Sequence, residues 1–341
     1  MIVLTVDYEV FGNGSGELCA CMTFPAERMM SVADRFGAPL TFFVEVLELI
    51  EMESAGIVGV PAVKSQLVDA VKRGHDAQLH LHPQWRKARN LGHGGWELDM
   101  SAWRIGDIDR ESLASMLHSG KSWIHELLAE IPDYRCIAFR AGGWCIQPSQ
   151  IVIEELEKSG ILIDSTVATG IYSATKGEWS DFRKAPDKPF WKVDSDVCVE
   201  ANSGLWEIPI AAGKISRTRH LGAVCASRAA GEGGLAPGCS GSYQGPAGGL
   251  QKKFGKIGKL LQLGMVMLDF STMPADVLID VTSMWLDRHG ADVPVVAIAH
   301  TKNFTSSSEK ALGVYLEWAE REGVGFATYK DCLGMMSGLE K

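Results

Sequence analysis

The 341-residue chain lacks the features that mark membrane proteins and nucleic-acid-binding proteins. No segment reaches the ~18 consecutive apolar residues that a membrane-spanning helix needs. The chain also lacks a basic excess, since 33 Lys and Arg stand against 42 Asp and Glu, for a net charge of −9. Proteins that bind nucleic acid neutralise phosphates with basic faces. We therefore expect neither a spanning helix nor a nucleic-acid partner.

Marks of secretion and of cysteine-based sites are also missing. The eight cysteines include no Cys-x-x-Cys pair, and Cys19 and Cys21 are too close in sequence to form a disulfide with each other. The first residues lack the basic region, long apolar run and small-residue cleavage site of a signal peptide. We expect a cytosolic protein whose cysteines are reduced thiols.

Hydrophobic residues make up 46% of the chain and charged residues 22%, as in ordinary globular proteins. Strands are predicted at 2–6, 40–46, 79–82, 136–139, 161–163, 205–210, 293–299 and 324–327. Helices are predicted at 25–36, 63–73, 109–131, 148–160, 273–289 and 306–323, the last with a capping box of Ser306 and Glu309. Alternating strands and helices favour a parallel sheet closed as a barrel, with functional residues at the carboxyl ends of its strands. We predict one α/β domain over residues 1–341.

One region departs from this alternation. Residues from about 222 to 250 are dense in Gly, Ala, Ser and Pro, which predicts a mobile insertion. Residues 252–261 interleave lysines with apolar residues, as in a basic amphipathic helix. This helix could be a barrel helix with a solvated lysine face, or it could contact an anionic membrane surface or a lipid-linked substrate. The sequence leaves both interpretations open.

The strand that ends at His82 carries two histidines on one face. Side chains alternate along a strand, so His80 and His82 point to the same side and could share a metal ion. The pattern is equally consistent with solvated histidines or with histidines bonded to backbone carbonyls. Functional side chains at other strand ends would favour the metal site.

Other predicted strand ends do carry such side chains. Asp7 and Glu9 have the same two-residue spacing as the histidines, and Arg140, Asp164 and His300 each end a strand. One carboxylate and two histidines can make a metal site with open positions, which leaves the second carboxylate free as a base.

Such a set suits hydrolysis of an unactivated amide or ester. A divalent metal polarises the carbonyl, a carboxylate takes a proton from water, and a histidine protonates the leaving amine. Arg140 would hold the base ionised, and a carboxylate beside His300 would keep that imidazole protonated.

Five segments together resemble the successive motifs of the polysaccharide deacetylase family. This family is also called carbohydrate esterase family four, and its domain is the NodB-homology domain. These segments are 5–9, 74–83, 139–144, 163–166 and 297–300, and their order is kept over residues 1 to about 330. In lacking a signal peptide, the sequence resembles the WbmS-like branch of this family, which is associated with O-antigen loci.

The resemblance implies a distorted (β/α)7-8 barrel and specific residue roles. It implies that Asp7 is the general base, that Arg140 tethers it, and that His80 and His82 ligate one divalent ion, commonly Zn²⁺. Family members remove acetyl groups from N-acetylated sugars.

The resemblance also implies that His300 is the catalytic acid and that Asp164 tunes it. Two departures from the family pattern concern the metal ligands. Tyr8 takes the place of the second of two adjacent aspartates, so Glu9 is the expected metal carboxylate. The two histidines, usually four residues apart, are two apart here.

Three further residues are predicted to bind substrate. Trp85 and Trp144 directly follow strand-end site residues and could stack on a sugar, although large aromatic residues also serve in cores. Glu207 lies near a strand end, where it could bind substrate hydroxyls or form a paired structural carboxylate.

The sequence thus predicts a metal-dependent carbohydrate N-deacetylase with one divalent ion, acting on an N-acetylated sugar in bacterial surface polysaccharide (O-antigen-type) biosynthesis. Two alternatives remain open. One is a metal-dependent hydrolase of a small non-sugar amide, and the other is a glycan-binding protein that has lost catalysis.

Overall fold

The computed structural model describes residues 1–175, 178–215 and 265–339. The predicted insertion at 222–250 and the basic segment at 252–261 lie outside these residues. Within the described residues, no helix has the length and apolar character needed to cross a membrane.

Strands and helices alternate along most of the described chain. The strands are β1 (Ile2–Tyr8), β2 (Leu40–Glu45), β3 (Asp76–Leu81), β4 (Arg89–Gly92), β5 (Gly95–Glu97), β6 (Ala138–Ala141), β7 (Ile163–Asp164), β8 (Tyr172–Thr175), β9 (Glu178–Asp181), β10 (Trp191–Val193), β11 (Leu205–Glu207), β12 (Ala212–Lys214), β13 (Met265–Met267) and β14 (Val295–His300). The helices are α1 (Phe24–Ala33), α2 (Val46–Ser54), α3 (Val60–Lys72), α4 (Arg110–Leu127), α5 (Gln150–Lys158), α6 (Ala275–His289), α7 (Ser306–Arg321) and α8 (Tyr329–Leu339).

Eight of the strands form one sheet in the order β10-β11-β7-β6-β3-β2-β1-β14. Neighbouring strands in this sheet run parallel, except β10, which runs antiparallel to β11. Backbone hydrogen bonds after β11 then link distant parts of the sheet. Ile210 N–H donates to Val167 O at 2.8 Å, and Ala211 N–H donates to Val296 O at 2.9 Å. The chain after β11 thus joins the β7 side of the sheet to β14, which confirms the predicted α/β barrel in a distorted form.

The long helix α4 shows why these segments fold as predicted. Asp109 caps its first turn, since the carboxylate accepts a hydrogen bond from Ser112 N–H at 2.9 Å. Its apolar stripe, with Leu113, Leu117 and Ile124, is buried against the sheet, as the helical spacing predicts. Strand residues are buried on both faces because helices cover the outer face of the sheet and the inner face lines the barrel interior.

The predicted capping box at Ser306 and Glu309 is wrong by one residue. The cap is Thr305, whose hydroxyl accepts from Ser308 N–H at 3.2 Å while its own N–H donates to Ser308 Oγ at 3.2 Å. Thr305 has the extended backbone that an N-cap requires. The Glu309 carboxylate instead pairs with Arg28, at 2.5 Å.

The predicted strand at 324–327 is also wrong. This segment makes only a single bridge, between Phe326 and Ile2, before the chain turns into α8. Helices α2 and α8 were not predicted. Among the described cysteines, free thiols are present at Cys19, Cys136, Cys145, Cys198 and Cys332. Cys21 is disulfide-bonded, so the expectation of reduced thiols is wrong for this residue.

Helix α8 is anchored in the interior of the barrel through Ser165. The Tyr329 hydroxyl donates to Ser165 Oγ at 2.6 Å, and Ser165 Oγ donates to Ile208 O at 2.7 Å. The Ser165 carbonyl accepts from Arg140 Nε at 2.8 Å. All four side chains are buried. The C-terminal helix therefore supports the strand end that carries Arg140.

We expect Tyr329→Phe to lower the free energy of unfolding by about 1 kcal/mol, because it removes one buried hydrogen bond and leaves the ring packing in place. Urea denaturation checks this value. Tyr172→Phe is the matched control, since the Tyr172 side chain is 46% exposed. Equal stability of the two variants would contradict the anchoring role of Tyr329.

Candidate functional site

The parallel register brings the predicted strand ends to one edge of the barrel. Asp7 on β1 lies opposite His300 on β14. His80 on β3 lies opposite Glu45 on β2 and Arg140 on β6. Side chains that are hundreds of residues apart in sequence therefore meet at this edge.

Asp7 and Arg140 form a buried ion pair. Arg140 Nη1 donates to Asp7 Oδ1 at 2.7 Å and to Thr5 Oγ1 at 3.0 Å, and the guanidinium lies 4.1 Å from the centre of the Phe43 ring. Burial alone would raise the pKa of Asp7, but the charges of Arg140, His80 and His300 outweigh this effect and hold that pKa below its ordinary value. Asp7 is thus ionised at neutral pH.

His300 faces the same carboxylate from the other side. Its Nε2 lies 3.5 Å from Asp7 Oδ2 and 4.0 Å from Glu9 Oε1. The ring of Trp144 meets the His300 ring edge-on, with the ring centres 5.8 Å apart. Asp7 therefore lies between a fixed cation and an imidazole that can carry a proton.

Glu9, His80 and His82 converge on one point. Glu9 Oε2 lies 2.8 Å from His82 Nε2 and 3.7 Å from His80 Nε2, and the centres of the two imidazole rings are 4.9 Å apart. All three side chains are buried. Both Nε2 atoms lack a well-directed hydrogen bond within the part of the chain that the structure describes.

The orientation of the His80 ring suits a metal ligand. Its Nδ1 lies 2.9 Å from the carbonyl oxygen of Arg140, which can only accept a hydrogen bond, so Nδ1 donates there and Nε2 is the ring nitrogen that faces Glu9. Burial lowers the pKa of His82, although Glu9 opposes this shift, so a neutral ring is favoured. The Gln84 amide lies 3.0 Å from His82 Nδ1 and can donate or accept there, depending on its orientation.

These donors fit a divalent cation. Two buried imidazole nitrogens that lack a well-directed hydrogen bond among the described residues, and one carboxylate oxygen, lie within 4.8 Å of one another. They form a three-ligand set of the kind that catalytic zinc sites use. Glu9, His80 and His82 are therefore the residues that could hold a metal. A second group with ligand atoms within the same distance, Asp7, Glu9 and His300, shares the Glu9 carboxylate.

Sequence reasoning missed Lys302. Its Nζ donates to Glu9 Oε1 at 2.7 Å and to Val10 O at 3.0 Å. Burial raises the pKa of Glu9, but Lys302, His82 and His80 together lower it well below its ordinary value. Lys302 follows His300 by two residues, and this is the same spacing that pointed to the other pairs.

Two more acidic side chains lie buried behind Glu9. Glu45 Oε1 caps α2 by accepting from Leu47 N–H at 3.0 Å, and Glu48 Oε1 accepts from Val10 N–H at 3.0 Å. Burial raises the pKa of both carboxyls well above the ordinary value, and their acidic neighbours add to this shift. Both are therefore held in the neutral form over a wider pH range than exposed glutamates.

Asp164 lies beside β6, opposite Phe139. Its Oδ1 accepts from Thr166 Oγ1 at 2.6 Å, and Thr166 Oγ1 accepts from Ala141 N–H at 2.9 Å. The β7–β11 register places Glu207 directly beside Asp164. Among the described contacts, the carboxylates within 4.0 Å of His300 are those of Asp7 and Glu9. The predicted tuning of His300 by Asp164 is therefore not supported by a direct contact between these two side chains among the described residues.

The three predicted substrate-binding residues differ in position. Trp144 is partly exposed, has a positive φ of 56° and lies beside His300. Trp85 is 1% exposed and packs edge-on against Trp96, with ring centres 5.2 Å apart. Glu207 is fully buried. In this conformation, only Trp144 of the three is open to a ligand at the site.

No protein-family model and no curated protein matches the chain. Among solved structures, it is similar to a polysaccharide deacetylase from Mycobacterium smegmatis, at 15% identity and a TM-score of 0.49, covering 99% of this chain and 90% of that one. A polysaccharide deacetylase from Pseudomonas aeruginosa PAO1 matches at 14% identity and a TM-score of 0.49, covering 97% of this chain and 88% of that one. A 4-alpha-glucanotransferase from Thermococcus litoralis matches at 10% identity and a TM-score of 0.50, covering 98% of this chain and 40% of that one.

At these identities the likeness concerns the fold alone. The glucanotransferase match agrees with the barrel described above, and the two matches with TM-scores below 0.5 carry no argument. Both of those proteins bear the name of the family that the sequence motifs resemble. The WbmS-like branch stays a prediction.

The buried Asp164 and Glu207 pair predicts a pH dependence of stability. Burial is the largest cause that raises the pKa of Glu207 well above its ordinary value, and the charge of the adjacent Asp164 is the second. Between the unfolded and folded pKa values the folded state holds a proton that the unfolded state has lost, so stability falls as pH rises, by up to about 1.4 kcal/mol per pH unit. We expect Glu207→Gln, which mimics the neutral acid, to flatten this slope above about pH 4.5.

Urea denaturation at several pH values from 4 to 9 measures the slope. Glu317→Gln is the control, because Glu317 lies on the exposed face of α7. A slope that stays unchanged in Glu207→Gln would show that Glu207 is not held neutral in the folded protein.

Gly142 determines where the His82 ring lies. A methyl group added at Gly142 would lie 2.5 Å from Cγ of the His82 ring, so that the ring must move. We expect Gly142→Ala to weaken Zn²⁺ binding by at least about tenfold, which corresponds to about 1.4 kcal/mol. Competition with a chromophoric chelator measures the affinity. Gly338→Ala is the control, because an added methyl there meets nothing within 4 Å. Equal affinities in the two variants would argue against His82 as a ligand.

Proposed function

We propose that this protein is a metal-dependent hydrolase that removes acetyl from an N-acetylated sugar. One observation carries the proposal. An ionised carboxylate held by Arg140, an imidazole 3.5 Å from that carboxylate, and a buried set of three metal donors share one edge of the barrel. Amide hydrolysis needs a base, an acid and an electrophile together in this way.

Glu9, His80 and His82 are the proposed holders of the metal. Two imidazoles and one carboxylate favour Zn²⁺ among divalent ions. A divalent ion bound there would polarise the substrate carbonyl and lower the pKa of water.

Asp7 and His300 are the proposed base and acid. Arg140 holds one oxygen of Asp7, and the other oxygen is free to accept a proton from the attacking water. His300 gives a proton to the amide nitrogen as the C–N bond breaks, and the products are acetate and a free amine. The 3.5 Å separation of Asp7 Oδ2 and His300 Nε2 lets a proton pass between them once the amine has left.

The substrate class rests on the sequence motifs and on Trp144. The partly exposed Trp144 ring beside His300 offers an aromatic surface on which a sugar can stack. The resemblance to the NodB-homology family is the reason for proposing an N-acetyl group on the substrate and a role in bacterial surface-polysaccharide biosynthesis. An O-antigen-type pathway is the finer proposal.

We expect purified, zinc-loaded protein to release acetate from N-acetylhexosamine substrates, and Asp7→Asn and His300→Ala each to lower turnover by roughly 10²–10⁴. Enzymatic detection of acetate measures the reaction. Asp133→Asn is the control for Asp7→Asn, because Asp133 is exposed and its backbone, with φ of 57°, accepts Asn.

The same assay decides among the three functions. Release of acetate or formate only from a panel of small amides and formamides would identify a non-sugar amide hydrolase. Binding of N-acetylated sugar by zinc-loaded protein without any acetate release would identify a glycan-binding protein. Full turnover by Asp7→Asn would contradict the assignment of the base.

A further inference from the structure

Lys302 occupies an unusual place for a lysine. Its side chain is 12% exposed, and its ammonium contacts the Glu9 carboxylate, which is 5% exposed. The carbonyl of Val10 accepts a second hydrogen bond from it, and the Phe11 ring lies 5.6 Å away. An almost buried ammonium needs such partners, because its desolvation would otherwise be costly. Lys302 is therefore fixed on Glu9.

The ion pair leaves the site without excess negative charge. Asp7 pairs with Arg140, and Glu9 pairs with Lys302, so two anions face two cations. Here the charge of the one carboxylate among the three proposed donors is already neutralised.

The two oxygens of Glu9 have different partners. Oε1 contacts the ammonium of Lys302 at 2.7 Å, while Oε2 faces His82 Nε2 at 2.8 Å and His80 Nε2 at 3.7 Å. Oε2 can thus act as a ligand without displacing Lys302. The attraction between Glu9 and a divalent ion is nevertheless reduced, because a positive charge rests on the same carboxylate in a poorly solvated place.

We propose that Lys302 neutralises Glu9 when no metal is bound and that it weakens the binding of a divalent ion at Glu9, His80 and His82. This inference rests on the metal site of the proposed function. The lysine keeps the buried carboxylate compensated in the metal-free protein, so the site persists without metal. The same charge makes the bound metal easier to release.

Removal of the lysine charge should strengthen the binding of every cation to the Glu9 carboxylate. Protons would bind more tightly as well as metal ions, but the effect on a divalent ion is larger because it carries twice the charge. The comparison is therefore made at pH 8, where competition from protons is small.

The experiment measures the Zn²⁺ affinity of purified full-length protein by competition with a chromophoric chelator. We expect Lys302→Met to bind Zn²⁺ at least about tenfold more tightly than the unmodified chain. Lys302→Arg keeps the positive charge and is the matched control, and we expect its affinity to stay within about threefold of the original. If Lys302→Met does not fold, Lys302→Gln removes the charge and keeps a hydrogen-bond donor for Glu9.

Thermal unfolding gives an independent readout. The metal-free neutral variants should melt at a lower temperature, because Glu9 is buried without its partner. Zn²⁺ should raise their melting temperature by more than it raises that of the original protein. A lysine with only a structural role would lower the melting temperature without raising the zinc affinity.

The outcomes separate this inference from the proposed function. If zinc binding is lost in His80→Ala but is no tighter in the neutral Lys302 variants, the inference is overturned and the metal site stands. If neither the unmodified protein nor the neutral Lys302 variants bind zinc, both are overturned. Tighter zinc binding in the neutral variants without any acetate release would support the inference and contradict the proposed function.

Discussion

The buried ion pair of Arg140 and Asp7 is the interaction on which the site depends. Arg140 is fully buried and reaches across the barrel interior from β6 to β1. Loss of one partner of such a pair leaves an uncompensated buried charge, at a typical cost of about 3–5 kcal/mol. The pair therefore ties the stability of the barrel to the position of the Asp7 carboxylate. The hydrogen bonds of Ser165 extend this tie to Ile208 and Tyr329.

Around this pair the buried acids fall into two groups, those whose pKa is lowered and those whose pKa is raised. Asp7 and Glu9 each have a cationic partner and keep a low pKa, whereas burial raises the pKa values of Glu45, Glu48 and Glu207. The three carboxyls with raised pKa values serve as backbone acceptors, and the two with lowered pKa values face His300. The chemistry proposed here follows from this division, because a base must be ionised and a metal ligand must be free of its proton.

Strand periodicity predicted much of the site. The two-residue spacing of Asp7 with Glu9 and of His80 with His82 placed all four side chains on one face, and the structure brings them together. Arg140 and His300 followed from the rule that parallel strands present functional residues at their carboxyl ends.

Other features depend on packing that no local pattern carries. Trp85 is buried and packs against Trp96 on β5. Asp164 lies beside Glu207 through the register of β7 and β11, and it accepts a hydrogen bond from Thr166. Helix α2 begins directly after β2, where a cap by the last strand residue, Glu45, replaces the usual connecting loop. Lys302 lies in a 3-10 turn, and its contact with Glu9 depends on how this turn packs against the end of β1.

The central claim is that Glu9, His80 and His82 hold one divalent ion beside Asp7 and His300. A crystal structure of the zinc-loaded protein with anomalous diffraction at the zinc edge tests this claim most directly. We expect one anomalous peak about 2.0–2.2 Å from His80 Nε2, His82 Nε2 and a Glu9 oxygen. A site without a peak at full zinc loading, or a structure in which either imidazole is turned away from the ion, would contradict it.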